Sequence, residues 1–176
     1  MIREAVGIAF DGVASRDLSM PIDRFAANRW STVYVGRGEG AVHGFDPLRR
    51  FEVARTLSTL MRPAVVVVPG GFDWRSLAGN EAVLEALRRS ATSGAYVIGV
   101  STGALVVAAA GLLGDRHATG HWLALDDLAA LGAVVDHDPL VRSGKVFTAS
   151  GALAALDAVD TIVAEVLWGR EVAPVE

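Results

Sequence analysis

The chain has 176 residues, a formal net charge of −4 at pH 7 and no cysteine. The absence of cysteine excludes disulfides, thiolate metal sites and thiol catalysis by this chain, and the absence of a basic run argues against nucleic acid as a partner. A hydrophobic fraction of 52% suits a sheet covered on both faces, and the length fits a single domain over residues 1–176.

The first half of the sequence alternates strand-like apolar runs with loops and helical patterns. It predicts strands over residues 5–10, 31–35 and 64–68, a turn entering a short helix over 17–28, a loop or hairpin over 36–52, and an edge strand or helical turn over 51–57. Pro69-Gly70-Gly71 ends the valine-rich strand, and residues 77–93 have the spacing of an amphipathic helix.

The second half continues the alternation. It predicts a buried strand over residues 96–100, helices over 102–113, 123–131 and 152–168, short strands over 118–120 and 133–136, and a β-hairpin over 141–148. The expected architecture is therefore a doubly wound α/β sandwich with a mostly parallel central sheet. The short apolar run near the N-terminus is too short for a signal peptide, so we expect a cytoplasmic protein.

The most informative segment is residues 95–113, where a buried strand leads through one hydroxyl into an apolar helix. Gly99, Ser101 and Gly103 have the G-x-S-x-G spacing of a nucleophile elbow, in which small neighbours allow a sharp turn and leave the middle side chain free. Two other interpretations are a membrane span, because 19 residues carry no charge, and a serine that only caps a helix. An α/β-hydrolase is a rival fold, but it requires a histidine well downstream of the serine on a longer chain.

Other candidate residues follow the predicted strands, where ligands bind in open α/β sheets. The Gly70-Gly71 turn brings backbone N–H groups close to a substrate, and with Thr102 it predicts an oxyanion hole. Phe72, Trp74 and Trp122 are candidates for an apolar pocket wall or for core packing.

Two histidine-containing segments offer weaker candidates. His117 and His121 have metal-ligand spacing only if they lie on a helix, and Thr119-Gly120 between them argues against one. Residues 136–139, Asp-His-Asp-Pro, are typical of a turn that ends a strand. Asp126 and Asp127 are adjacent, so they predict solvent exposure near a helix start, not a carboxylate pair.

The segment GVSTGALVVAAAGLLGDRHATGHW resembles the nucleophile-elbow segment of the ThiJ/PfpI superfamily, which is class I glutamine-amidotransferase-like, and especially its isonitrile-hydratase-like branch. It is also similar to the amidotransferase-like domain of some AraC-type regulators. Three further segments, IAFDGVASRDLSMPIDRF, VVVVPGG and VFTASGALAALDAVDTIVAEV, are similar to other parts of the family and occur in the family's order.

This resemblance implies a flavodoxin-like three-layer sandwich that is usually dimeric and acts on a small molecule without metal or cofactor. Carried over by position, it implies Ser101 at the elbow, Asp17 as the acid after the first strand, and His121 nearby. The oxyanion N–H groups it implies are those of Gly71 and Thr102. Gly70 and Phe72 adjoin that turn as substrate-binding candidates.

The chain departs from the family at the elbow, where the family has cysteine and this chain has Ser101. A helix N-terminus and one hydrogen bond suffice to ionise a thiol near neutral pH, whereas a serine hydroxyl requires a general base. The hypotheses are therefore an isonitrile-hydratase-like site with altered or lost catalysis, a non-catalytic ligand-binding module related to the regulators, and a serine-dependent hydrolase using Ser101, His121 and Asp17. Direct DNA binding and a membrane partner are not expected.

Overall fold

The computed structural model describes residues 3–46 and 48–169, in which ten strands and six α-helices form. The strands of the main sheet are β1 (Glu4–Ile8), β2 (Ser31–Gly36), β3 (Gly40–His43), β4 (Arg50–Thr56), β5 (Val65–Val68), β6 (Tyr96–Val100), β9 (Leu140–Ser143) and β10 (Val146–Ala149); β7 (His117–Ala118) and β8 (Val134–Val135) pair separately. The helices are α1 (Ser15–Ala27), α2 (Trp74–Ala78), α3 (Glu81–Thr92), α4 (Gly103–Ala109), α5 (Leu125–Ala130) and α6 (Ala152–Trp168). Single 3₁₀ turns lie at Leu57–Thr59 and Trp122–Ala124.

The main sheet has the strand order β3-β4-β2-β1-β5-β6-β10-β9. All neighbours pair in parallel except β3 with β4 and β9 with β10, which form the antiparallel hairpins at the two edges. Helices α1 and α6 pack on each other, while α2 and α3 pack with α4, and these groups cover the two sides of the sheet. The predicted flavodoxin-like α/β fold is confirmed.

The core lies along the central strands β5 and β6, whose residues are all buried. Their valine and isoleucine side chains suit a parallel strand that is covered on both faces. Because β5 and β6 are neighbours, their carboxyl ends bring the Pro69-Gly70-Gly71 turn beside Ser101. The fold therefore builds one polar site at the end of its most apolar strands.

Several predicted boundaries are wrong, each for a local reason. The helix predicted over 77–93 is two helices, because the chain turns at Gly79 and Asn80 starts α3 by accepting the Val83 N–H. The helix predicted over 102–113 ends at Ala109, since Gly111 adopts φ +79° and closes the helix end. Helix α1 begins at Ser15, which places Asp17 in its first turn rather than in a preceding turn.

The remaining elements agree more closely with the sequence. The hairpin over 141–148 and the helix over 152–168 are confirmed, and residues 36–52 contain a hairpin rather than a loop. Residues 51–57 are mainly strand β4, although the edge position belongs to β3. The short strands and the helix over 118–136 form with shifted ends.

The uncharged segment 95–113 is divided between strand β6 and helix α4. Within the described residues, no helix is long and apolar enough to cross a membrane. The membrane-span interpretation of this segment is therefore wrong.

Candidate functional site

Ser101 lies on a sharp turn between β6 and α4 and has a positive φ of +58°. Its N–H donates to the Ala149 carbonyl at 2.8 Å, which ties the turn to the neighbouring strand β10. The adjacent Gly103 is required by packing, because a Cβ there would lie 2.1 Å from the Val68 carbonyl oxygen. A non-glycine residue held in the left-handed region stores strain, and such residues cluster at functional sites. The predicted elbow geometry is therefore present.

Asp17 lies beneath Ser101, in the first turn of α1, and is only 8% exposed. Its carboxyl group faces the Gly70 N–H and the Ser101 hydroxyl, and both groups favour its charged form. Burial raises the pKa of Asp17 above its ordinary value, while the Gly70 N–H, the charge that His121 carries when protonated, and the Ser101 hydroxyl oppose that rise. The structure thus brings the predicted acid and the predicted elbow residue into contact.

Gly70 is the point at which these side chains converge. A Cβ at Gly70 would lie 2.8 Å from Asp17 Oδ2, 2.9 Å from Thr102 Oγ1 and 3.0 Å from Ser101 Cβ. No side chain fits there without displacing one of these three residues. Gly70 therefore leaves room for the Asp17 carboxyl, and the Gly70 N–H faces that carboxyl.

The N–H groups proposed for an oxyanion hole are not equally free. The Gly71 N–H donates to Thr102 Oγ1 at 3.1 Å, and the Phe72 N–H donates to the Gly12 carbonyl at 3.3 Å. The Thr102 N–H donates to no acceptor among the described residues. A ligand anion would meet the Thr102 N–H directly, whereas the Gly71 N–H becomes available only when the Thr102 side chain rotates. The oxyanion hole stays a prediction.

His121 has a defined hydrogen-bonding role. Its Nδ1 accepts the Leu123 N–H at 3.2 Å, which caps the 3₁₀ turn, and its ring stacks on Trp122 with centroids 5.9 Å apart. A neutral histidine whose Nδ1 accepts a hydrogen bond carries its proton on Nε2. In this tautomer His121 is a hydrogen-bond donor at Nε2, not a base.

A cavity of about 460 Å³ opens in front of the elbow. Its lining is mostly apolar, with three uncharged polar residues and one residue of each charge: Ala14, Phe45, Gly71, Phe72, Trp74, Arg75, Ser101, Thr102, Leu105, His121, Leu123, Ala124 and Asp127. This volume and composition are typical of a small-molecule site. Ser101, Thr102, His121, Gly71 and Phe72 of the predicted set line it, while Asp17 and Gly70 support it from behind.

Sequence reasoning missed part of this lining. Phe45 arrives from the β3–β4 hairpin, and no local pattern connects that hairpin to the elbow. Asp127 is solvent-exposed as expected, with 55% of its side chain exposed, but it also lines the cavity beside Arg75, with 3.9 Å between the Arg75 guanidinium and its carboxylate. Trp74 lines the cavity as one interpretation held, whereas Trp122 is not part of the lining.

The candidate metal residues are not assembled. His117 lies on β7, with its Nδ1 3.6 Å from Asp136, and does not share a helix with His121. No group of three or more metal-ligating side chains forms in the described ranges. The Asp138 N–H donates to the Asp136 carboxylate at 3.3 Å, as the predicted turn requires.

Two curated relatives share about half of this chain. The isonitrile hydratase of Pseudomonas putida is 41% identical over 103 residues, which are 58% of this chain and 45% of the relative. The HTH-type transcriptional regulator GlxA of Rhizobium meliloti is 36% identical over 108 residues, which are 57% of this chain and 32% of the regulator. The matched regions therefore span less than half of each relative.

Solved structures match nearly the whole chain. A ThiJ/PfpI family protein from Pseudomonas syringae has a TM-score of 0.85 at 24% identity, covering 99% of this chain and 77% of that one. DJ-1beta of Drosophila melanogaster also has a TM-score of 0.85 at 20% identity, covering 97% and 93%. Residues 3–165 match the DJ-1/PfpI family. The predicted relationship is confirmed, and the chain belongs to the DJ-1/PfpI family.

Proposed function

We propose that this domain binds a small, uncharged molecule in the Ser101 cavity, at a site related to that of isonitrile hydratase, and that thiol-type catalysis is altered or lost. The observation that carries the proposal is the convergence of Ser101 and the buried Asp17 carboxyl at Gly70, where a Cβ would lie 2.8 Å from Asp17 Oδ2 and 3.0 Å from Ser101 Cβ. A serine becomes a nucleophile only when a base removes its proton. Neither neighbour is suited to that task.

His121 lacks the free basic nitrogen that a catalytic triad requires. In a Ser-His-Asp triad, histidine Nε2 accepts the serine proton while Nδ1–H donates to the carboxylate. Here the Nδ1 of His121 accepts the Leu123 N–H, so the arrangement is reversed. This geometry argues against the serine-hydrolase hypothesis.

Asp17 is better suited to donate a proton than to remove one from serine. Burial raises its pKa, so the protonated carboxyl persists to higher pH than in an exposed aspartate. A protonated Asp17 can donate a hydrogen bond through Ser101 toward a bound ligand. Together with the Thr102 N–H, this arrangement favours ligands whose polar end accepts hydrogen bonds.

The test introduces the missing thiol. Ser101→Cys is expected to gain hydration of phenyl isonitrile to N-phenylformamide, followed by chromatography, whereas the unmodified protein and the exposed-site control Ser58→Cys remain inactive. A folded Ser101→Cys protein without activity would contradict the isonitrile-like character of the site. Turnover by the unmodified protein that Ser101→Ala abolishes would overturn the proposal of altered catalysis.

A second candidate function, a non-catalytic sensor module, is supported by the match to the regulator GlxA. This function also requires a ligand to bind in the cavity, but it requires no turnover by any variant. Binding of N-phenylformamide to the unmodified protein, together with an inactive but ligand-binding Ser101→Cys variant, favours this second function.

A further inference from the structure

The cavity mouth carries an aromatic pair that the elbow chemistry does not use. The rings of Phe45 and Phe72 lie with their centroids 4.7 Å apart and a tilt of 36°. Phe45 is 64% exposed and Phe72 is 74% exposed, although both line the cavity. Two large apolar rings left in water at the mouth of a cavity recover free energy when a ligand covers them.

The backbone fixes this pair in place. The Phe45 N–H donates to the Val13 carbonyl at 2.8 Å, and the Phe72 N–H donates to the Gly12 carbonyl at 3.3 Å. Val13 also forms isolated bridges with Gly44 and Gly71, the residues that precede the two phenylalanines. Both segments are therefore held by the same loop after β1, so the backbone brings the two residues together before any ligand arrives.

The other aromatic side chain of the lining is less accessible. The Arg75 guanidinium lies over the Trp74 ring, 4.4 Å from its centroid, and covers that face. Arg75 also approaches Asp127, with opposite charges 3.9 Å apart across the cavity. The formal charges of Arg75 and Asp127 cancel, so the cavity lining presents no net charge to an ionic ligand. The free aromatic surface belongs to Phe45 and Phe72.

We infer that Phe45 and Phe72 form a subsite for a flat aromatic substituent, and that they determine specificity for an aryl-bearing, uncharged ligand whose polar end lies at Ser101 and Thr102. Aromatic rings gain more from one another than equal apolar area provides, through offset or edge contacts. A saturated ring of the same size lacks that gain. The inference rests on the proposed function, because the aromatic substituent belongs to the same ligand whose polar end is proposed to bind at Ser101.

The test compares two ligands of matched size that need no turnover, N-phenylformamide and N-cyclohexylformamide, by titration calorimetry with the unmodified protein. We expect the phenyl compound to bind about five- to tenfold more tightly, the range that an aromatic contact provides. Phe45→Leu and Phe72→Leu keep an apolar side chain but remove the ring, so each is expected to reduce the preference toward unity. Leu48→Ala, on the same hairpin loop and 91% exposed, lies outside the cavity lining and is expected to leave the preference unchanged.

The outcomes separate the subsite from the function. Equal affinities for the two compounds, or a preference that survives both leucine variants, would overturn the aromatic subsite while leaving the binding site itself intact. Failure of both compounds to bind, together with an inactive Ser101→Cys variant, would overturn the proposed function and the subsite with it. Thermal unfolding of each variant checks that the exposed substitutions leave the fold unchanged.

Discussion

Strand β6 approaches a buried carboxylate at each of its ends, and the two carboxylates have different surroundings. At the start of the strand, the Tyr96 hydroxyl donates to Glu165 at 2.7 Å, and Arg142 makes two hydrogen bonds to the same carboxylate. Past the end of the strand, the Asp17 carboxyl faces the Gly70 N–H and the Ser101 hydroxyl, and no arginine or lysine of the described residues is bonded to it. The first carboxylate is hydrogen-bonded to a cationic side chain, and the second is not.

This difference distinguishes a structural role for Glu165 from the functional role proposed for Asp17. A buried ion pair with its hydrogen bonds satisfied holds the elements that it joins, here β9 with α6. A buried acid without a bonded cation has a perturbed pKa and lies ready to exchange a proton or to bind a ligand. The cavity opens at Ser101, beside the second carboxylate, and the candidate chemistry therefore lies at one end of the strand.

The largest change in stability is expected at the start of β6, where Arg142 is bonded to Glu165. Arg142→Leu leaves the Glu165 carboxylate buried without its cation, and we expect a loss of about 3–5 kcal/mol in the free energy of unfolding, measured with urea. The matched control Arg50→Leu removes an exposed partner of Glu52 and should cost less than about 1 kcal/mol.

The double variant Arg142→Leu/Glu165→Met tests the cause. Because it removes both charges, it should recover most of the lost stability. If the double variant is as unstable as Arg142→Leu alone, the arginine stabilises the protein by packing over Phe147, above whose ring it lies at 5.0 Å, and not by neutralising the carboxylate.

At the carboxyl end of β6, removing the buried charge is expected to raise the free energy of unfolding. Asp17→Asn keeps an oxygen for the Gly70 N–H and removes the buried charge, so we expect a gain of about 1–2 kcal/mol in the free energy of unfolding at pH 8. Asp23→Asn, exposed on the same helix, is the matched control and should change stability by less than about 0.5 kcal/mol.

The pH dependence follows from the direction of the shift. The pKa of Asp17 is raised above 3.8 in the folded protein, so its contribution to stability is complete below pH 3.8 and is lost as the pH rises through the folded value. The advantage of Asp17→Asn should therefore shrink between pH 8 and pH 4, measured by urea unfolding at each pH. An advantage that grows as the pH falls would show that Asp17 is stabilised as a carboxylate.

The cluster of Tyr96, Arg142 and Glu165 shows what the sequence alone does not reveal. Glu165 lies on the largely apolar helix α6 and Arg142 in a hairpin, and both residue types are normally exposed. Only the pairing of β10 with β6 and the packing of α6 on that sheet bring them together with Tyr96. Such a pairing depends on long-range contacts, which no local pattern encodes.

The site divides in the same way between local and long-range features. The elbow at Ser101 is predictable because strand, turn and helix follow one another in the chain, and the structure places it at the end of β6 as expected. Phe45 was not predictable, because its approach depends on hydrogen bonds between the hairpin and the loop after β1. The tautomer of His121 depends on a cap that forms only with the 3₁₀ turn.

The smallest effect concerns the strain at the elbow, and it requires two variants. Ser101→Ala and Ser101→Gly both remove the hydroxyl that faces Asp17, so they differ only in the Cβ at φ +58°. A left-handed residue with a Cβ costs about 1–2 kcal/mol, and the greater freedom of unfolded glycine offsets part of that. We expect Ser101→Gly to be more stable than Ser101→Ala by about 0.5 kcal/mol in urea unfolding.

At the control position Ser150, the opposite order of stability between the alanine and glycine variants is expected. Ser150 is exposed and its φ is not positive, so Ser150→Ala should be more stable than Ser150→Gly because only the entropy of the unfolded chain distinguishes them. If alanine is also preferred at position 101, the elbow carries no strain that glycine relieves. In that case the Ser101 N–H bond to Ala149 and the packing around Gly103, not a strained backbone, are what keep the Ser101 hydroxyl at the cavity.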